Sequence, residues 1–299
     1  SEGIGFIADL NDPAGVDYVY MVTAHEAAHQ WWAHQVAPAN VQGATMLVET
    51  FAEYSALMLL SQRYGEDHMR RYLTRELVGY LDGRGAEAFE EQPLYRVEDQ
   101  QYIHYRKGAL IMYALQDYVG EATVNRAMRR LVDEFAYATE PYATTLDFLR
   151  ILREEVGPEY ESLIHDFFER IILFDLSVTD TSVSRRDDGR WDVVIDIEAH
   201  KFAADGGGEQ TEEPIDYMID IGVFTRDLDS SLEGSDHVLY LEKHRINETS
   251  MRIELIVDEE PHTVGIDPYI KLIDRESDDN LAQVSVASSQ RLEGETDTP

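Results

Sequence analysis

The spacing of apolar residues changes once along this chain, and this change constrains the fold more than any other feature. Up to about residue 172, apolar residues recur at intervals of three and four, as they do on one face of an α-helix. After about residue 175 they occupy every second position, as in Val193, Ile195 and Ile197. A period of two is typical of strands with one buried face. The sequence therefore predicts an α+β chain, with helices first and strands second.

Glycine, proline and other turn-forming residues divide the two parts into separate elements. The candidate helices are 17–36, 46–64, 67–81, 103–119, 122–135, 145–155 and 160–173. The candidate strands are 191–198, 215–223, 238–241, 251–257 and 263–266. Short polar turns between successive strands favour an antiparallel, sandwich-like β domain.

Composition excludes several classes of protein. The 299 residues include 59 Asp and Glu against 25 Lys and Arg, a formal net charge of −34, which repels nucleic acid and anionic membrane surfaces. Hydrophobic residues make up 43% of the chain, enough to build a core and to exclude a wholly disordered chain. Because the chain contains no cysteine, disulfides, thiolate metal sites and cysteine nucleophiles are excluded as well.

The segment His25-Glu26-Ala27-Ala28-His29 places two imidazoles on one face of the first candidate helix, because residues four apart lie one above the other. Both imidazoles can reach a single metal ion. Glu26, next to the first histidine, can then take a proton from a metal-activated water. Helices also carry two histidines at this spacing by chance, so the surrounding residues must decide between the two interpretations.

A hydrolytic zinc site needs a third protein ligand, and three residues are candidates. His34 lies five residues beyond His29, about 140° further round a helix, so it faces away from the pair. Glu49 and Glu53 lie on the next candidate helix, which a loop containing proline and glycine allows to fold back. We expect Glu49 to complete the site and Glu53, one turn further, to hold a ligand imidazole by its outer nitrogen. For Glu53, an exposed helix glutamate is the alternative.

These segments resemble the gluzincin aminopeptidases, the family of aminopeptidase N and leukotriene hydrolase. In that family the two-histidine helix continues into Gln-Trp, here Gln30-Trp31, and a glutamate ligand follows in an Asn-Glu-Gly-Phe-Ala context, here Val48-Glu49-Thr50-Phe51-Ala52. Nineteen residues separate His29 from Glu49, whereas the family usually has eighteen, which indicates one inserted loop residue.

The resemblance implies a mostly helical, thermolysin-like zinc peptidase domain. One Zn²⁺ per chain would be bound by His25, His29 and Glu49, and Glu26 would act as the general base. The expected partner is a peptide with a free N-terminus, and the expected activity is that of an aminopeptidase.

Two further segments carry the same resemblance. Tyr105-Arg106-Lys107-Gly108 is similar to the family's Tyr-x-Lys-Gly segment, which implies that Tyr105 donates a hydrogen bond to the oxyanion. Ser1-Glu2-Gly3 resembles the Gly-x-Met-Glu-Asn strand, which implies that Glu2 binds the free α-amino group of the substrate. A tyrosine packed in a helical core and an unconstrained terminal glutamate are the alternatives.

The resemblance also suggests a domain organisation. We expect a catalytic domain over 1–175, beginning at the amine-binding strand, a β-sandwich domain over 176–275 and a loosely ordered polar tail over 276–299. The family's N-terminal β domain has no counterpart here, so we expect a fragment. The segments Gly265–Arg275, Asp279-Asn280 and Gln42-Gly43-Ala44-Thr45-Met46 also resemble bacterial peptidase modules fused to transporter-like permeases. This favours a soluble fragment of a membrane-anchored parent on the periplasmic side, with a cytoplasmic location as the alternative.

Two other functions stay open at this point. The same zinc site would serve an endopeptidase if Glu2 does not anchor an amine. The chain would otherwise be a catalytically weak or non-enzymatic, extracytoplasmic peptide-binding module of a transporter-like protein.

The charge yields a prediction about stability. With only four lysines and a net charge of −34, the chain resembles proteins adapted to a salty medium, in which ions screen the repulsion among carboxylates. We expect the melting temperature to rise between low salt and about 1 M NaCl, where the Debye length is about 3 Å. A flat or falling melting temperature in calorimetry would contradict this interpretation.

Overall fold

A computed structural model describes residues 15–228 and 237–284. Helices form its first part and two antiparallel sheets its second, so the predicted α+β class and the order of the two parts are confirmed. Glu2 and the strand predicted around it lie outside the described residues.

The first part contains helices joined by short turns. The helices are α1 (Tyr18–Ala28), α2 (Phe51–Tyr64), α3 (Glu66–Ala86), α4 (Gly108–Val119), α5 (Glu121–Phe135), α6 (Thr145–Val156) and α7 (Glu161–Ile164). The π-helical turns are Met46–Thr50 before α2, Tyr102–Lys107 before α4 and His165–Glu169 after α7. None of the described helices is long and apolar enough to cross a lipid bilayer.

Helix α1 is shorter than predicted. Asp17 caps its first turn by accepting a hydrogen bond from the Tyr20 N–H at 2.9 Å. The helix ends at Ala28 and not at residue 36, because Ala33 adopts a φ of 110° and turns the chain back on itself. A non-glycine residue with positive φ is uncommon and has no signature in the sequence, so the predicted end was wrong.

The last predicted helix, 160–173, is also wrong in its second half. The helical backbone ends at Glu169, and strand β1 begins at Ile171. Ile171 to Phe174 are all buried, and such a run has no alternation because both faces are covered. The sequence pattern cannot distinguish a run of this kind from a buried helix.

The second part is a sandwich of two four-stranded antiparallel sheets. Its strands are β1 (Ile171–Arg185), β2 (Trp191–Ala204), β3 (Gln210–Glu213), β4 (Tyr217–Phe224), β5 (Val238–Ile246), β6 (Ser250–Val257), β7 (Thr263–Ile266) and β8 (Leu281–Gln283). In one sheet, β2 pairs with β1 along one edge and with β3 and β6 along the other. The second sheet has the order β5-β4-β7-β8.

The alternation of the strands separates core from surface as the sequence predicts. Val193, Ile195 and Ile197 of β2 are buried, whereas Asp196 between them pairs with Arg252 on the neighbouring strand at 2.7 Å. β1, β3 and β8 were not predicted from the sequence. Residues 277–283 of the predicted loose tail form a 3-10 turn and strand β8, and the residues from 285 onward lie outside the described part.

Partly buried ion pairs join the helical part to the sandwich. Lys271 donates to Asp117 on α4 at 2.6 Å and to Asp220 on β4 at 2.7 Å. Lys243 on β5 pairs with the same two aspartates. The two lysines therefore neutralise carboxylates from both parts and hold α4 against the second sheet.

Candidate metal centre and active site

Three potential ligand atoms converge between α1 and the π-helical turn before α2. His25 Nε2 lies 3.1 Å from His29 Nε2, and Glu49 Oε2 lies 3.3 Å and 3.5 Å from these two nitrogens. All three atoms are within 4.8 Å of one another. Two imidazole nitrogens and one carboxylate oxygen around a single point fit a tetrahedral metal that keeps one open position.

The outer nitrogens of both imidazoles are held by acceptors. His25 Nδ1 donates to Glu53 Oε2 at 2.7 Å, and His29 Nδ1 donates to the Trp32 carbonyl at 3.0 Å. A backbone carbonyl and a carboxylate accept hydrogen bonds, so we assign the proton of a metal-bound imidazole to Nδ1, which leaves the Nε2 lone pair for the metal. Glu53 is only 6% exposed, so it is not the surface glutamate of the alternative interpretation.

The electrostatics of the site favour a cation. Burial lowers the pKa of His25, but hydrogen bonds with Glu49 and Glu53 outweigh this effect and raise the pKa to about 9. Burial would raise the pKa of Glu49, but its interactions with His25 and Tyr105 hold that pKa below its usual value. Glu49 Oε2 is also buried without a well-formed hydrogen bond in the described part. A metal ion would supply a positive charge to pair with Glu49 and with the nitrogen lone pairs of the two histidines, so the residues fit a zinc site.

Glu26 and Tyr105 face one cavity beside this centre. The cavity has a volume of about 330 Å³, and His25 and Glu53 line it as well. Glu26 is exposed on α1, next to His25, where solvent and a substrate can reach it. The Tyr105 ring lies 5.7 Å from the His25 ring, and burial together with Glu49 raises the pKa of the phenol above its usual value. Tyr105 is therefore a neutral hydrogen-bond donor at pH 7.

Two π-helical turns hold Glu49 and Tyr105 next to each other. The Thr50 hydroxyl donates to the His104 carbonyl at 2.5 Å, which ties the turn of Glu49 to the turn of Tyr105. Gly108 makes this approach possible, because a Cβ there would lie 2.4 Å from Thr50 Oγ1. No sequence motif predicted this contact. The one sequence feature that hinted at the contact was Thr50 itself, which stands where the family's motif has a glycine.

The remaining candidates lie apart from this centre or beyond the described part. His34 is not in the metal-ligand group, and its Nδ1 lies 3.5 Å from the Gln30 side chain. Glu2 lies outside the described residues, so its place in the cleft stays a prediction. Arg75 and Arg106 line the same cavity as Glu26, although no sequence motif predicted a role for them.

Known proteins resemble part of this chain. The sequence model of the peptidase family M1 domain matches residues 11–170. Aminopeptidase M1-A from rice (Oryza sativa subsp. japonica) is 28% identical over 157 residues, which is 50% of this chain and 17% of that protein. Human endoplasmic reticulum aminopeptidase 2 is 27% identical over 128 residues, 40% of this chain and 13% of that protein. The chain therefore spans less than a fifth of the length of these relatives.

A solved structure also resembles the chain. It is a mutant of an M1 zinc metallopeptidase from Deinococcus radiodurans, bound to a Tyr-Ser-Ala substrate. The match has a TM-score of 0.39 and 26% identity, and it covers 50% of this chain and 32% of the other.

The contact between the two π-helical turns gives a prediction. We expect Gly108→Ala to lower the free energy of unfolding by about 1–3 kcal/mol, because the new methyl group would overlap Thr50. Gly85→Ala on α3, where a Cβ meets nothing within 4 Å, is the matched control and should be neutral or stabilising.

The double variant Gly108→Ala with Thr50→Gly makes the test specific. Its loss, measured by urea unfolding, should be smaller than the sum of the two single losses, because the overlap is gone. Additive losses would show that Gly108 is required for another reason.

Proposed function

The chain belongs to peptidase family M1, and from that premise we propose that it is a zinc-dependent aminopeptidase that removes N-terminal residues from peptides. The observation that carries the proposal is the convergence of His25, His29 and Glu49 on one point, with Glu26 and Tyr105 in the adjoining cavity. When bound, zinc supplies a Lewis acid that lowers the pKa of water and polarises the scissile carbonyl.

The chain's own residues would divide the remaining work. His25, His29 and Glu49 hold the metal, and Glu53 fixes the orientation of His25 by accepting its Nδ1 proton. Glu26 takes the proton of the attacking water and delivers it to the nitrogen of the leaving amine, so that the peptide bond breaks without releasing an amide anion. Tyr105 donates its phenolic proton in a hydrogen bond to the oxyanion as negative charge develops there.

Glu2 would determine that the enzyme acts on N-termini. We infer from the motif at Ser1–Gly3 that its carboxylate binds the substrate's ammonium group and places the first peptide bond at the metal. An endopeptidase would not need this contact. The two activities therefore differ in how they treat a substrate whose amine is blocked.

The proposed function is tested by measuring zinc content together with hydrolysis of aminoacyl-naphthylamides, with and without a chelator. We expect about one zinc per chain and hydrolysis that the chelator abolishes and added zinc restores. N-acetylated substrates should not be cleaved. Cleavage of blocked peptides would instead identify an endopeptidase, and zinc binding without any hydrolysis would favour a peptide-binding module.

Glu26→Gln tests the general base. Because the amide has nearly the same shape but cannot accept the proton, we expect zinc to stay bound while kcat falls by roughly 10²- to 10⁴-fold. Metal analysis and steady-state kinetics on one preparation measure both quantities. Retained turnover would remove Glu26 from this role, whereas loss of zinc would place it among the residues that bind the metal.

Tyr105→Phe tests the oxyanion donor. Loss of one such donor should lower kcat by roughly 10²- to 10³-fold with little change in KM, since the hydrogen bond strengthens in the transition state. Tyr102→Phe, in the same π-helical turn, is the matched control and should change kcat far less. A loss through KM alone would indicate that Tyr105 only packs in the wall of the cavity.

A further inference from the structure

Two arginines share the cavity with the candidate catalytic residues. Arg75 on α3 and Arg106 in the π-helical turn Tyr102–Lys107 line the same space as Glu26 and Tyr105. Their side chains are 29% and 30% exposed, so each guanidinium is partly buried and partly accessible from the cavity.

Both arginines bind a single buried carboxylate. Arg106 Nη1 donates to both oxygens of Glu76 at 2.8 Å, and Arg75 Nη1 donates to one of them at 2.9 Å. The Glu76 side chain has no exposed surface. Two cations facing one anion leave one positive charge that Glu76 does not balance, although the chain as a whole carries a net charge of −34.

The surroundings hold these guanidiniums in place. The Arg75 guanidinium lies 4.1 Å above the centre of the Tyr18 ring. Gly79 leaves room for Arg106, because a Cβ there would lie 3.1 Å from Arg106 Nε. Preorganised guanidiniums lose little conformational entropy when they bind a planar anion.

Hydrogen-bonding capacity remains on both side chains. A guanidinium has five N–H donors, and within the described part of the chain only Nη1 of each arginine donates to a protein group. Burial lowers the pKa of Arg75, and the neighbouring charge of Arg106 lowers it further, whereas Glu76 opposes both. A second anion on the cavity side would relieve this repulsion.

Within the described part of the chain, neither of the other two carboxylates that line the cavity, Glu26 and Glu53, forms an ion pair with these arginines. Glu53 is engaged by His25 at 2.7 Å. Glu26 lies beside His25 on α1 and is the proposed general base. A peptide whose own carboxylate reaches the arginines would complete the charge balance.

We propose that Arg75 and Arg106 form a carboxylate-binding subsite, which makes the enzyme prefer peptides that carry a carboxylate near the scissile bond. The carboxylate would come from an acidic side chain or from the C-terminus of a short peptide, and a guanidinium binds either one through paired N–H···O hydrogen bonds. This inference rests on the proposed peptidase function, because it concerns the substrate of the same site.

Two pairs of peptides distinguish the sources of the carboxylate. The first pair is Leu-Gly-Gly as free acid and as C-terminal amide, and the second is Leu-Glu-amide and Leu-Gln-amide. We expect at least one acid to exceed its uncharged partner in kcat/KM by roughly tenfold or more, since a hydrogen bond to a charged group has about that effect. The pair that shows the preference identifies the source.

Arg75→Gln tests the subsite itself. The acid-to-amide ratio should fall to near one in this variant, and Arg75→Lys, which keeps the charge but loses the planar fork, should lie between Arg75→Gln and the native protein. Arg129→Gln, a surface arginine on α5 whose side chain is 75% exposed, is the matched control and should leave the ratio unchanged.

Three results would overturn the subsite. The first is that the native protein shows no preference for the acid in either pair. The second is that Arg75→Gln lowers kcat/KM equally for both members of each pair. The third is that Arg129→Gln changes the acid-to-amide ratio as much as Arg75→Gln does. An equal loss would show that Arg75 only supports Glu76.

A binding measurement separates this proposal from the proposed function. Calorimetry on the zinc-loaded Glu26→Gln protein gives the acid-to-amide ratio of Kd without turnover. If no peptide is hydrolysed by the native protein but the acids bind more tightly and Arg75→Gln removes the difference, the peptidase function fails and the subsite stands. If hydrolysis occurs and the Kd ratio is near one, the subsite fails alone.

Discussion

The candidate site depends on burying two glutamates of one helical segment against two histidines of another. Glu49 and Glu53 lie one turn apart and face His25 and His29 across the contact between α1 and α2. A buried carboxylate is costly unless it is paired, so His25 stabilises both glutamates, and Glu53 in turn positions His25. The packing of α1 against α2 and the geometry of the metal ligands are therefore one constraint.

The same rule explains where the scarce lysines lie. Lys107 contacts Glu91 at 3.2 Å, and Lys201 contacts Asp166 at 2.5 Å, both in buried surroundings. Lys243 and Lys271 join the helical part to the sandwich. Each of the four lysines thus pairs with a carboxylate that is buried or partly buried, whereas the pairs on the exposed strand and helix faces use arginine. Because these lysines are largely buried, they do little to reduce the negative charge of the surface.

The π-helical turn Tyr102–Lys107 combines several roles in six residues. Tyr105 faces the candidate metal centre. Arg106 pairs with Glu76 on α3, and Lys107 pairs with Glu91 in the core. These two ion pairs anchor the turn directly after Tyr105, and the contact of Thr50 with His104 ties it to the turn of Glu49. A π-helical turn widens the backbone locally, and such turns are frequent at functional sites. The proposed catalysis and the proposed substrate preference would thus depend on the same short segment.

The sequence by itself determined the order of helices and strands and the two-histidine helix. It also contained the motifs around Glu49 and Tyr105, which both resemble those of one peptidase family. These features follow from periodicity and from residue types at fixed spacing, which are local properties of the chain. It did not determine the end of α1 at Ala28 or the start of β1 at Ile171, because a positive φ at Ala33 and a run of residues buried on both faces leave no periodic signal.

Only the tertiary structure decided which groups meet. The Trp32 carbonyl reaches His29 because the chain turns back at Ala33, and Thr50 reaches His104 because Gly108 has no side chain. Arg75 and Arg106 converge on Glu76 from two elements about thirty residues apart. Contacts between distant segments depend on how whole helices pack, and no local pattern of residues encodes that packing.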